Sequence, residues 1–262
     1  MNWYKNIKAD TKIQDHYDII NSITVSIINA VKKAILWADQ NQKDLSQMHL
    51  SYQKEPIMEG GRNIQGTNNF EYFGNIIISD VFKEYTTKDG LVTFDIDIDI
   101  DIGDYGKGRQ DYLTEGGYNE INGPQRKIIK ININAYVPKN FSLTVLSSSL
   151  VGALSHEWSH HEDPRTPTQK YIDPYKARLL ERIKYYLQDK EVKAFVTETA
   201  AISRHENRPF LDVFDNIMFP HFTYRLLEDT PKRNFLRDWI ARKGLQKIKV
   251  KYLDYAKNQN YI

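Results

Sequence analysis

The sequence predicts an α+β fold, and three observations carry that expectation. Apolar residues near the N-terminus recur every three or four positions, those in the middle of the chain alternate every second position, and those after residue 141 return to helical spacing. The expected order is an N-terminal helix, a small antiparallel or mixed sheet, a further helix and a helical C-terminal half. All of it reads as one domain over residues 1–262, with residues 1–140 supplying helix and sheet and residues 141–262 the helical part.

The first helix is expected from Thr11 to Asp39, because Ile13, Tyr17, Ile20, Ile23, Ile27, Val31 and Ile35 form one stripe. Residues 41–69 lose this periodicity and gather Gln, Asn and Gly, so they read as loop with one short extended piece. Asn75 to Thr86 and Leu91 to Ile102 are rich in strand-forming residues and flank Asp89-Gly90, a hairpin signal, so the two runs are expected to pair antiparallel. Gly103 to Pro124 is glycine-rich and reads as a long loop. Lys127 to Val137 resumes the alternation, with Ile129, Ile131, Ile133 and Ala135 on one face. Pro138-Lys139-Asn140 then turns the chain into a helix over 142–161, striped by Leu143, Leu146, Leu150 and Leu154. Further helices are expected from Asp173-Pro174 to Gln188, from Asp189 to His205, after Pro209 and after Pro231.

Composition narrows the chemistry. With no cysteine among 262 residues, disulfides, thiolate metal sites and cysteine nucleophiles are excluded, so a metal would have to be held by His, Asp or Glu. The start of the sequence has no apolar run of the secretory kind, and the stretch from Phe141 to Leu154 is too short and too rich in serine to span a bilayer. A cytoplasmic protein without a membrane partner is the expectation. The net charge of +2 is unevenly spread: from Pro231 onward nine Lys/Arg face only Asp238 and Asp254, a local +7 that leaves −5 for the rest. That tail reads as a solvated amphipathic helix, with nucleic-acid contact as the alternative.

The chemistry concentrates in Ser155-His156-Glu157-Trp158-Ser159-His160-His161. Positions four apart on a helix share a face, so the imidazoles of His156 and His160 can reach one cation. Glu157 stands beside the first ligand, where a carboxylate can take a proton from a water on that cation. His161 projects about 100° away from His160 and reads as an outer or surface residue.

Through His156, Glu157 and His160 on a helix that follows strands, the sequence resembles the zincin metallopeptidases. It departs from them at Glu162, where an apolar residue is usual, and Asp163 and Thr166 exclude the metzincin extension. Asp189-Lys190-Glu191-Val192-Lys193-Ala194 resembles the Glu-x-x-Ala helix of gluzincin-like proteins, including ImmA/IrrE-type proteases and HExxH proteins encoded by phages and plasmids. The resemblance implies a Zn2+ ion, a peptide or protein substrate, and Glu191 as third ligand; Glu198, two helical turns on and on nearly the same face, is its rival as ligand or the hydrogen-bond partner of a ligating His, with Glu162, Asp163, Asp173 or His205 behind them. His205 and His221, ahead of Arg204 and Tyr224, are the candidates for stabilising an oxyanion. A non-catalytic protein on the same scaffold and a DNA-associated processing protein stay open as alternatives.

The Asp95, Asp97, Asp99 and Asp101 row alternates with isoleucine. Carboxylates two apart on a strand are nearly 7 Å apart, too far to share one ion, so the row is expected on the solvent face of an edge strand, where it could favour basic peptides.

Overall fold

The computed structural model describes residues 11–40, 42, 49–52, 75–77, 85–87, 90–103, 113–122, 127–138, 141–161, 178–228 and 235–262. The chain divides into two compact units, Gln14–His161 and Met1–Ile13 with Glu162–Ile262. The α+β expectation is corrected. Of the residues described with their side chains, 88% are helical, so that part of the protein is mostly helical and is not built round a sheet. Glu162, Asp163 and Asp173, and the helix start expected at Asp173-Pro174, lie outside the described residues.

The first unit carries α1 (Thr11–Gln40), six strands traced as backbone, and α2 (Leu143–His161). Helix α1 forms where the three-four stripe ran: Ile20, Ile23, Ile27 and Val31 are buried on its inner face. Thr24 lies among them, and its hydroxyl donates to the Ile20 carbonyl at 2.9 Å, which satisfies a buried polar group locally.

The strands are β1 (His49–Tyr52), β2 (Asn75–Ile77), β3 (Tyr85–Thr87), β4 (Gly90–Gly103), β5 (Leu113–Asn122) and β6 (Lys127–Pro138), in the order β2-β1-β4-β6-β5 with β3 against β4. Three sequence expectations change here. Among the described residues Tyr85–Thr87 folds back on the Leu91 run, pairing Thr87 with Gly90, whereas Asn75–Ile77 runs parallel to β1. Leu113–Asn122, expected as loop, is a strand antiparallel to β6. The Asp-bearing β4 is not an edge: β1 lies on one side and β6 runs parallel along the other, with Asp95 in register with Lys130. With β3 and β1 flanking Gly90–Val92 and Ile98–Asp101 on one side and β6 along the other, the basic-peptide role expected of the Asp row loses the edge position from which it was argued. Ile133 and Ala135, two apart on β6, are both buried, as the pleat requires of one face.

Helix α2 lies against β5 and β6. Ser142 precedes it, its carbonyl accepting from the Leu146 N–H at 2.9 Å. From Leu150 to Ser159 every residue is buried, so this helix has no solvent face over its last turns.

The second unit contains α3 (Leu179–Tyr186), α4 (Asp189–Glu206), α5 (Phe210–Val213), α6 (Phe219–Thr223) and α7 (Phe235–Asn258). Asn207 ends α4 in the left-handed conformation at φ 54, and the Arg208 N–H returns to the Ser203 carbonyl at 2.9 Å, a Schellman-type close. Between and after α5 and α6, Phe214–Met218 and Tyr224–Glu228 are π-helical. Pro220 explains the first widening: proline offers no N–H to the preceding turn and its ring crowds that turn's carbonyls, and the Phe219 N–H reaches back five residues to Phe214 instead of four.

This unit's core is aromatic. Tyr186, Phe195, Phe222 and Tyr252 meet with ring centroids 5.0 to 6.1 Å apart, in tilted and edge-on arrangements. The buried Tyr252 hydroxyl donates to the Tyr186 carbonyl at 2.9 Å, and buried Arg182 donates to the Arg225 carbonyl at 2.9 Å. Gly244 lets α7 approach α3, because a Cβ there would stand 2.6 Å from Ile183 Cδ1 and 2.7 Å from its Cγ1. Valine at position 244 is therefore expected to lower stability by about 1–3 kcal/mol, the cost of overpacking a filled core, seen as a lower urea midpoint with unchanged slope. None of the described helices is long and apolar enough to cross a membrane.

Candidate metal centre

The last turns of α2 hold the histidine pair. His156 and His160 stand one helical turn apart with ring centroids 5.0 Å apart and planes at 76°, an edge-to-face arrangement that keeps the ring nitrogens from stacking on one another. His156 and Glu157 are buried and His160 is half-buried. A surface pair of histidines would be solvated; this one lies at the end of the stretch Leu150–Ser159, in which every residue is buried.

Glu191 occupies the first turn of α4, three residues after the cap at Gln188, where free backbone N–H groups favour a negative charge. It is 2% exposed. Lys190 approaches its Oε1 at 3.7 Å, with the lysine side chain 38% exposed. Lys251 of α7 pairs with Asp189 at 2.6 Å and donates to the Leu187 carbonyl, fixing the start of this helix.

One ligand atom each from His156, His160 and Glu191 lie within 4.8 Å of one another, the one such group of three among the described residues. Nitrogen and oxygen ligands in a tetrahedral set at 2.0–2.1 Å from a divalent cation stand about 3.3 Å apart, a separation that lies within the 4.8 Å bound. Two imidazoles and one carboxylate are donors that such a cation takes.

The remaining sequence candidates scatter. Glu198 is half-buried two turns along α4 and does not belong to the group of three. It lies close enough to Tyr252 to raise the pKa of that phenol, already pushed well above its ordinary value by burial, with Glu191 and Tyr186 also contributing. His205 stands at the far end of α4, about 21 Å along the axis from Glu191. Burial lowers its pKa, with Glu206 opposing. Arg204 shares that end of the helix, half-buried. His221 is nearer in its own unit, its ring 6.3 Å from Phe195, one turn past Glu191. Tyr224 is half-buried in the second π-helical stretch. The side chain of His161 lies outside the described residues. Lys190 received no role from the sequence; its place beside a ligand candidate at the start of a helix was the available signal.

No protein-family model, curated protein or solved structure matches this chain. The resemblance to zincins therefore rests on the motif residues alone.

Proposed function

We propose that the protein is a zinc-dependent peptidase that hydrolyses a peptide or amide bond. The observation that carries this reading is the group formed by His156, His160 and Glu191, with Glu157 buried next to the first of them. The absence of cysteine fits it, since the donors present are the nitrogen and oxygen donors that catalytic zinc takes.

Zinc held there would supply a Lewis acid that acidifies a water and polarises the scissile carbonyl. His156 and His160 would hold the cation, each through one ring nitrogen, leaving the other nitrogen for a hydrogen bond that fixes the ring's orientation. Glu157 accepts a proton from the water that attacks the carbonyl carbon. The same carboxyl group then gives that proton to the departing amine as the C–N bond breaks, so one water is consumed and the side chain is regenerated. His221, rather than the distant His205, is the better placed histidine to donate to the oxygen that gains negative charge.

Substituting Glu157 by glutamine tests the reading. The variant should bind zinc with wild-type stoichiometry while losing about a hundredfold to ten-thousandfold in cleavage of a mixture of unfolded polypeptides. Cleavage at the wild-type rate, or no cleavage by zinc-loaded wild-type protein, would remove the peptidase assignment.

A further inference from the structure

Helix α7 has two contrasting faces. Ala241, Leu245, Ile248 and Tyr252 are buried in the aromatic core of their unit. On the other side, at about 100° per residue, Phe235, Leu236, Trp239, Arg242, Lys243 and Lys247 fall within an arc of about 140°. Phe235, Leu236 and Trp239 are 88%, 63% and 51% exposed. Arg242, Lys243 and Lys247 are exposed too, and no ion pair or hydrogen bond among the described residues engages them. The cations on the flanks of the helix behave differently: Lys249 pairs with Asp215 at 2.8 Å and Lys251 with Asp189 at 2.6 Å. The helix thus neutralises the charges that face its own unit and leaves unpaired those that face outward. The single acid within the outward arc, Asp254, stands about 27 Å along the axis from Leu236.

We infer that this face of α7 rests on an anionic phospholipid bilayer. The exposed aromatic and aliphatic side chains at its first turn enter the headgroup layer, and the cations of the next turns meet lipid phosphates and carboxylates. A duplex nucleic acid would satisfy the cations but leave Phe235 and Leu236 in water, whereas a lipid interface takes both the apolar end and the charge. The sequence alone pointed to a solvated helix with no membrane partner; the three large apolar side chains standing exposed beside unpaired cations argue for peripheral attachment. This inference is independent of the metal centre.

The test is co-sedimentation of the full-length protein with vesicles of equal parts phosphatidylcholine and phosphatidylserine, compared with vesicles of phosphatidylcholine alone. Binding to the mixed vesicles, weakened by salt and at least tenfold stronger than to the neutral ones, is expected. Arg242→Glu with Lys243→Glu should weaken it by about thirtyfold, at roughly fivefold per basic residue removed. Leu236→Asp should weaken it as well, at an exposed position where circular dichroism is expected to remain that of the wild type. A blue shift of tryptophan emission on vesicles, absent in Trp239→Phe, would locate the contact. Failure to sediment with the mixed vesicles overturns the proposal. So does equal binding by the wild type and the charge-reversed variant, or retention of duplex DNA without retention on vesicles.

Discussion

Alanine in place of His156, His160 or Glu191 is expected to lower zinc affinity by more than about a hundredfold, beyond the tenfold to hundredfold typical of residues that only orient a ligand. Alanine at Glu198 or His205 should leave affinity within a few-fold of wild type. The difference follows from position: the first three present donor atoms within 4.8 Å of one another, while Glu198 and His205 lie outside that group. Equilibrium dialysis against a competing chelator measures the affinities directly. A second readout comes from linkage, since a ligand that binds only the folded protein at a hundred times its Kd adds about 2.7 kcal/mol of stability. Zinc should therefore raise the melting temperature of wild-type protein and fail to raise that of the three ligand variants. If Glu198→Ala abolished the shift and Glu191→Ala preserved it, the carboxylate assignment would pass to Glu198. If neither mattered, the His156–His160 pair would bind an ion without a carboxylate from α4.

The candidate centre was legible to unequal degrees. The histidine pair needed only local information, because a spacing of four on one helix fixes the relation of His156 to His160 whatever the rest of the chain does. Glu191 needed more. Nothing in its neighbourhood distinguishes it from Glu198 except its place in the first turn of a helix and a likeness to another family's helix, and its burial is visible only in the structure. The helices α1, α2 and α4 were readable within a few residues from apolar stripes and caps. The strands were misjudged where local signals compete with tertiary pairing. Gly116 and Gly117 made Leu113–Asn122 read as loop, yet a neighbouring strand supplies the ladder that a weak strand former cannot specify alone. The Asp row on β4 read as a solvent-facing edge because charge opposes burial. Strand order, however, is set by pairings distant in sequence: β6 runs along the whole strand and β1 covers its end at Ile98–Asp101. The fold class failed for a related reason: alternation over residues 75–137 was weighted as the organising feature, while most of the residues described with their side chains belong to helices.

Removing the Phe222 ring is the other large effect to expect. Phe222 is fully buried on α6, and its ring meets Phe195 of α4 at 5.1 Å, Tyr186 of α3 at 5.1 Å and Tyr252 of α7 at 5.0 Å. One side chain thus joins four helices that local propensity alone would not hold together, since α6 is five residues long and contains Pro220. Phe222→Ala is expected to cost about 3–5 kcal/mol, the lost transfer energy plus the cavity left among rings too rigid to collapse into it. Against a typical domain stability of about 5–15 kcal/mol, that is enough to leave this unit marginal. Phe222→Leu keeps most of the volume and should cost clearly less. Urea unfolding followed by near-ultraviolet circular dichroism measures both, because the signal comes from these packed aromatic rings. The same variant should weaken zinc binding indirectly, since Phe195 is one turn from Glu191 on α4, and stabilising osmolyte should restore that loss but not the loss caused by Glu191→Ala. A Phe222→Ala cost below about 1 kcal/mol would mean that the rings do not bear on one another as described, and the fixed position of Glu191 would need another explanation.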